Sequence, residues 1–124
     1  MDIWSNLSQL LSLLERNNTV ERKKAIFFIL NKLKEGDSIA VDPLIKALCD
    51  GDHYIRIKSC KGLGIIRDKR GVEALILALE DNDIEVKVEA ANALGNIGDP
   101  RAVEPLCRIL NSPQKNVRKA AKCL

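Results

Sequence analysis

The sequence predicts an all-α fold, an α-solenoid (αα superhelix) of about four two-helix repeats. Short patterns recur every 31 residues, apolar residues in each copy have helical spacing, and no segment shows the sustained two-residue alternation of a strand. A two-helix unit cannot bury its apolar face alone, so successive copies are expected to stack. The 124 residues have the length of one domain, 1–124. We divide it into repeats at about 3–36, 37–67, 68–98 and 99–124.

The first helix of each repeat is marked by valines at a fixed interval. Val41, Val72 and Val103 are 31 residues apart, and a leucine follows each of them three and seven residues later. This spacing places the apolar side chains on one face of a helix. Asp42 and Pro43 have the order expected of an N-cap residue and the first helical position.

The second helix follows after a short turn. Its apolar stripe runs from Val86 to Leu94 in the third repeat, and Asp83 precedes it as a candidate N-cap, as Asp52 does in the second repeat. Small residues in this helix would let neighbouring helices approach closely. In the first repeat, Val20 and an aromatic residue eight positions later match the same stripe, which equates Phe28 with Leu94.

The third repeat carries a family resemblance. It combines a Val-Glu-Ala-Leu-Ile helix, a capping Asp, Val-Lys, and the run Ala-Ala-Asn-Ala-Leu-Gly-Asn-Ile-Gly-Asp-Pro at 90–100. These residues resemble HEAT-like repeats, in the short form named after phycobilin lyases, and the match extends from about Asp37 to Leu124. The resemblance implies a solenoid whose second helices line the concave side.

The resemblance also implies a ladder of ion pairs between neighbouring repeats. The family pairs its repeat Asp with the basic residue after Val, which here means Asp52 with Arg56 and Asp83 with Lys87. Gln114 replaces the Asp in the last repeat, so the ladder is expected to weaken there. These basic residues are therefore interpreted as structural.

The composition offers little for catalysis. There is one His and only 3% aromatic residues, so a site of several histidines is excluded and stacking of several bases is not expected. Hydroxylases of this family hold iron on several His-Glu pairs, and this chain has none. The aspartates Asp81 and Asp83 alternate as in a calcium loop, but Val86 stands where such a loop needs Gly. The sequence predicts no catalytic residues, no cofactor and no metal site, and hence a protein that is not an enzyme.

The remaining reactive residues have ordinary interpretations. His53 lies in the turn before the second helix and has no catalytic partner at a fixed spacing, so we interpret it as a turn residue. None of the four cysteines forms a CxxC pair, which favours reduced thiols used as small apolar residues. Cys49 aligns with polar residues of other repeats and is expected to be partly exposed.

A binding face is predicted on the second helices, at positions a third of a turn from the buried stripe. Six of the nine residues there are basic, although the net charge is only +3. The set is Arg22, Lys23, Lys58, Lys61, Glu89, Asn92, Asn96, Lys119 and Lys122. We expect a protein–protein interaction scaffold that presents this face to another protein, with an acidic segment as the partner. The alternatives are binding of a nucleic-acid backbone, an accessory subunit of a lyase-like modifying enzyme, and an ordinary solvated surface.

The two ends of the chain suggest a second surface and a location. Trp4 and the pair Phe27-Phe28 either fill the first repeat's core or leave an apolar end that self-associates. Residues 1–14 lack the basic first region that a signal peptide has. No apolar run approaches the 18 residues that a membrane-spanning helix needs. The sequence therefore predicts a cytoplasmic protein without membrane contact.

Overall fold

The computed structural model describes residues 6–110, except for the side chain of Leu110. In this range the chain forms α1 (Leu7–Leu13), α2 (Thr19–Lys32), α3 (Val41–Ala47), α4 (His53–Ile66), α5 (Val72–Ala78), α6 (Ile84–Ile97) and α7 (Val103–Leu110). Three-residue 3-10 helices at Ser38–Ala40, Lys69–Gly71 and Pro100–Ala102 precede α3, α5 and α7. The described part contains no strand, and the all-α prediction is confirmed. The predictions for Trp4, Gln114, Lys119 and Lys122 lie outside the described residues.

The helices form two layers with the core between them. The short helices α1, α3 and α5 each pack against the long helix that follows them, α2, α4 and α6. The long helices also pack directly against one another in chain order, with the most extensive contact between α4 and α6. This arrangement is the predicted α-solenoid. The largest fully buried side chains come from both layers and include Leu44, Ile55, Leu75, Leu94 and Ile26.

Each long helix begins at a side-chain cap. Asn18, Asp52 and Asp83 have extended backbone angles and accept hydrogen bonds from the backbone N–H groups two residues later. These bonds satisfy donors that have no partner within the helix. The predicted caps at Asp52 and Asp83 are confirmed, and the three caps align α2, α4 and α6 residue by residue.

This alignment corrects the sequence register of the first repeat by one residue. Val20 is 66% exposed, so it is not the equivalent of the buried valine that begins the stripe in α6. Counting from the caps, Ile29, Leu63 and Leu94 are equivalent, and they are 0%, 1% and 1% exposed. Phe28 is half-buried and lies one position before this row. The prediction that equated Phe28 with Leu94 is therefore wrong.

The start of the short helices also differs from the prediction. Helix α3 begins at Val41, Ala40 is in the cap position without a side-chain hydrogen bond, and Asp42 lies inside the first turn. In the third and fourth repeats a capping aspartate acts one turn earlier, on the 3-10 helix, whereas Asp37 before α3 makes no such bond. Asp68, for example, accepts a hydrogen bond of 2.9 Å from the backbone N–H of Arg70. Because the 3-10 turn runs directly into the α-helix, a second cap is not needed.

Small residues allow the long helices to approach closely, as predicted. A Cβ atom on Gly64 of α4 would lie 3.0 Å from the Cα of Ala93 in α6. A Cβ on Gly62 would lie 2.9 Å from a methyl carbon of Leu44. A side chain at Gly64 would meet the backbone of α6 and push the two long helices apart, which well-packed interiors resist, whereas one at Gly62 would meet the ends of leucine side chains.

The long helices α4 and α6 end in the left-handed backbone region. Gly98 follows α6 with φ +72°, and its N–H bonds to the carbonyl of Leu94. Arg67 occupies the equivalent place after α4 with φ +60°. Glycine adopts this conformation without strain, whereas an arginine does not. None of the helices described is both long enough and apolar enough to cross a bilayer.

Candidate partner-binding face

Two arginines of the long helices form an ion-pair ladder to the following repeat. Arg22 Nε lies 2.8 Å from Asp50 Oδ2, and Arg56 Nε lies 2.9 Å from Asp81 Oδ2. Arg56 also donates to the backbone carbonyl of Asp50 at 2.7 Å. All four side chains are at most 16% exposed. A ladder between repeats is present, as the family resemblance implied, but the predicted pair of Asp52 with Arg56 is wrong. Arg56 bonds to Asp81, two residues before the next capping aspartate.

Arg22 therefore belongs to this ladder. It is bound to Asp50 and also donates to the carbonyl of Arg16 at 2.7 Å. The sequence placed Arg22 on the outward face, whereas in the structure its guanidinium is bound to Asp50. Counting from the caps, Arg22 is the equivalent of Arg56, and we leave it out of the proposed binding face.

The capping aspartates make a second set of contacts between repeats. Asp52 pairs with Lys23 at 3.3 Å, and Asp83 Oδ2 lies 2.6 Å from Nδ1 of His53. The hydrogen bond from His53, together with that from the backbone N–H of Glu85, lowers the pKa of Asp83. No Ser or Cys side chain in the described range hydrogen-bonds to His53, whose side chain is 61% exposed. The sequence missed this pair because its members lie 30 residues apart in different repeats.

The other predicted face residues within the described range lie on the second helices and differ in exposure. Lys23, Lys61, Asn92 and Asn96 are exposed, and Lys58 and Glu89 are half-buried. The register correction adds Lys24, which is exposed and equivalent to Lys58. Within residues 6–110, the ammonium groups of Lys24, Lys58 and Lys61 have no carboxylate within the 4.0 Å of an ion pair. These three cations are therefore available to a partner.

An aromatic cluster lies beside these lysines. Phe27, Phe28 and Tyr54 line one groove between α2 and α4 together with Lys23 and Lys24. The two phenylalanine rings meet edge to face, with centroids 5.6 Å apart. Phe27 is 52% exposed, so about half of an apolar ring faces solvent. We call these five residues the aromatic groove.

Tyr54 joins the aromatic groove to the basic surface. The Nζ atoms of Lys23 and Lys58 lie 5.7 Å and 5.3 Å from its ring centroid. Both distances are within the range of cation–π attraction. Two ammonium groups therefore lie near one ring. The Lys23 ammonium is also paired with Asp52, whereas the Lys58 ammonium has no carboxylate partner among the described residues.

The charge of the face changes along the solenoid. Helix α4 contains no acidic residue, and α2 contains only Glu21, in its first turn. Helix α6 instead contributes Glu85 and Glu89 to the grooves beside α4. Positive charge is thus concentrated on α2 and α4, and the face becomes neutral to acidic at α6.

The described residues present little metal or thiol chemistry. No group of three or more His, Cys, Asp or Glu side chains that could hold a metal ion occurs among them. Burial raises the pKa of the Cys60 thiol to about 12, which leaves it an unreactive core residue. Cys49 is exposed, as predicted.

These observations define an α-helical repeat protein with a charged and aromatic second-helix face. Comparison with known families assigns the repeat type, since residues 72–122 match the model of HEAT repeats. Residues 72–122 therefore carry HEAT repeats, and the resemblance found in the sequence is confirmed over this part of the chain. No curated protein matches the sequence.

Three of the solved structures that match this chain illustrate the shared fold. Human deoxyhypusine hydroxylase in complex with glycerol is 26% identical, with a TM-score of 0.77 over 95% of this chain. An engineered protein is also 26% identical, with a TM-score of 0.71 over 94%. The CpcE–CpcF complex of phycocyanin lyase from Nostoc is 22% identical, with a TM-score of 0.65 over 94%. The chain spans only 41%, 60% and 62% of the lengths of these three proteins.

These comparisons correct one prediction from the sequence. The expectation that the protein is not an enzyme is wrong, because the hydroxylase match points to an enzymatic or enzyme-associated function. The lyase complex is a second enzyme with this fold. The single histidine excludes an active site built from several histidines. It does not show whether the protein associates with an enzyme.

Proposed function

We propose that this protein is an enzyme-associated interaction scaffold whose second-helix face binds an acidic segment of a partner protein. The observation that carries the proposal is the set of unpaired cations, Lys24, Lys58 and Lys61, on adjacent helices that bear almost no carboxylate. Charge of one sign on one surface raises the local concentration of an opposite charge and steers its approach. A HEAT-repeat fold and the likeness to an enzyme support the association with an enzyme.

The structural residues of the repeat support this choice of surface. The ladder arginines, the caps and the buried leucines are all used within the solenoid, whereas the three lysines are not needed for stacking. A cytoplasmic location stays a prediction from the sequence.

The test is affinity capture of the full chain from native cell lysate, with and without nuclease. Wild type is compared with the Lys58→Glu, Lys61→Glu double variant. The matched control is Lys46→Glu, Lys69→Glu, which makes the same change in net charge at two exposed sites off the second helices. Urea unfolding of each variant checks that the fold is kept.

The proposal expects an enzyme, or a subunit of one, that is captured by wild type and by the control but not by the double variant. Capture that is equal for all three proteins would refute the face. Capture that disappears with nuclease would favour the nucleic-acid alternative, whose affinity must also fall steeply with salt.

A further inference from the structure

The aromatic groove adds an apolar feature to the basic surface. Phe27 exposes half of its ring beside Phe28 and Tyr54, and the exposed ammonium groups of Lys23 and Lys24 border the same groove. Lys23 is paired with Asp52, whereas Lys24 has no carboxylate partner among the described residues. An exposed aromatic ring next to such a cation is typical of recognition surfaces, since aromatic anchors carry much of the energy of protein interfaces.

The groove is absent from the next pair of helices. Counting from the caps, the equivalents of Phe27 are Lys61 and Asn92, and the equivalents of Phe28 are Gly62 and Ala93. The rings are therefore a feature of one place on the solenoid and are not required by the repeat.

We infer that the aromatic groove is the anchor site for an acidic peptide segment, in which one aromatic or large aliphatic side chain packs on Phe27 while flanking carboxylates bind the lysines of α2 and α4. This inference rests on the proposed function and assigns the chemistry of the segment. The anchor buries ring surface that is exposed in the free protein, and burial of apolar surface favours association. The carboxylates meet Lys24 and Lys58, which have no carboxylate partner within the described range.

The surroundings favour a short acidic peptide over a nucleic-acid strand. The Phe27 and Phe28 rings meet at 88°, so they do not offer two parallel faces for successive bases. An extended phosphate backbone would also continue toward α6, where Glu85 and Glu89 repel it. A peptide with a few carboxylates ends before it reaches them.

The test uses the full chain, labelled with nitrogen-15, and a blocked heptapeptide of sequence Glu-Asp-Glu-Phe-Glu-Asp-Glu. Titration is followed by the shifts of backbone amide signals. There are two control peptides. One replaces the Phe by Ala, and the other replaces every Glu by Gln and every Asp by Asn. A single-stranded thymidine decanucleotide serves as the nucleic-acid probe.

The inference expects saturable shifts centred on Phe27, Phe28 and Tyr54 with the acidic Phe peptide. Binding should be about tenfold weaker for the Ala peptide, and also for the Phe27→Ala variant, as expected on loss of one interface anchor. Leu77→Ala is the control variant. Leu77 is 74% exposed and lies on α5, the first helix of the third repeat, away from the aromatic groove. It should bind the peptide as wild type does.

Three results would overturn the inference. The first is no saturable shift up to millimolar peptide, and the second is equal binding of the Phe and Ala peptides. The third is saturable shifts at the aromatic groove with the oligonucleotide and not with the peptide. If Lys58→Glu still abolishes capture of the native partner while Phe27→Ala leaves both capture and peptide binding unchanged, the proposed function stands and the anchor site fails.

Discussion

Truncation of Ile29 tests the register of α2 in the first repeat, that is, which of its residues lie on the buried stripe. The sequence and the structure disagree on this register. The structure buries Ile29 completely and leaves Val20 66% exposed. The register read from the sequence instead places Val20 on the buried stripe. Ile29→Ala and Val20→Ala therefore have opposite expected outcomes under the two registers.

The expected magnitude follows from burial. Removing a fully buried isoleucine side chain costs about 2–5 kcal/mol, as lost transfer energy plus the cavity that remains. A loss of this size lowers the melting midpoint of a domain this long by roughly 6–25 °C. Val20→Ala removes exposed atoms, and its cost should be under about 0.5 kcal/mol.

The measurement is urea unfolding of the full chain, followed by circular dichroism, with slopes compared among the proteins. Equal slopes would show that the midpoints report stability alone. The reasoning would be refuted if Val20→Ala cost as much as Ile29→Ala, or if Ile29→Ala cost less than about 1 kcal/mol.

Three further predictions concern the solenoid itself. Leu94→Ala should cost about 2–5 kcal/mol and Leu77→Ala under about 0.5 kcal/mol in urea unfolding, because Leu94 is 1% exposed and Leu77 is 74% exposed; similar costs would show that the buried face is misassigned. Arg67→Gly should raise the free energy of unfolding by about 1 kcal/mol, because glycine relieves the left-handed backbone that Gly98 already occupies without strain; a lower urea midpoint would contradict this. Asp83 has a lowered pKa through its bond to His53, so its stabilising contribution is present above the unfolded pKa of about 3.9 and is lost as pH falls through the folded pKa. Asp83→Asn keeps a capping side chain and should lose less stability than wild type between neutral pH and pH ~3; identical pH profiles would exclude Asp83 as a contributor.

Helix positions could be predicted from the sequence because they depend on local patterns. The 31-residue interval of Val41, Val72 and Val103 survives in the structure as the starts of α3, α5 and α7. Caps such as Asp83 were also predictable, since a short polar side chain before an apolar stripe satisfies the first helical N–H groups. These features need no knowledge of the neighbouring repeat.

The first repeat was harder because it departs from the interval. Asn18 and Asp52 are 34 residues apart, whereas Asp52 and Asp83 are 31 apart. Matching apolar letters alone gave Val20 a place in the stripe, although the equivalent position in α4 is the half-buried Tyr54. A search for the cap, with Asn accepted as well as Asp, would have given the register of the structure.

Contacts between repeats could not be derived from spacing within one repeat. The ladder aspartate of Arg56 is Asp81, which lies 25 residues further on, and the partner of His53 is Asp83. Both partners sit in the turn of the next repeat. Their distance depends on how closely the long helices approach, which Gly64 and its neighbours set through backbone contact. Only the structure of the stacked repeats shows which carboxylate each basic side chain binds.

The clearest guide to function is the contrast between positions that recur and positions that vary. Recurring residues are accounted for by stacking: a cap, a ladder base and a buried leucine or isoleucine appear at the same place in successive long helices. Two outward rows vary instead. They hold Lys24, Lys58 and Glu89 in one row, and Phe27, Lys61 and Asn92 in the other. Stacking places no demand on these exposed or half-buried positions, so we attribute the fall in positive charge from α2 and α4 to α6 to the proposed partner. A bound acidic segment should therefore lie with its carboxylates over α2 and α4 and end before it reaches Glu85 and Glu89 of α6.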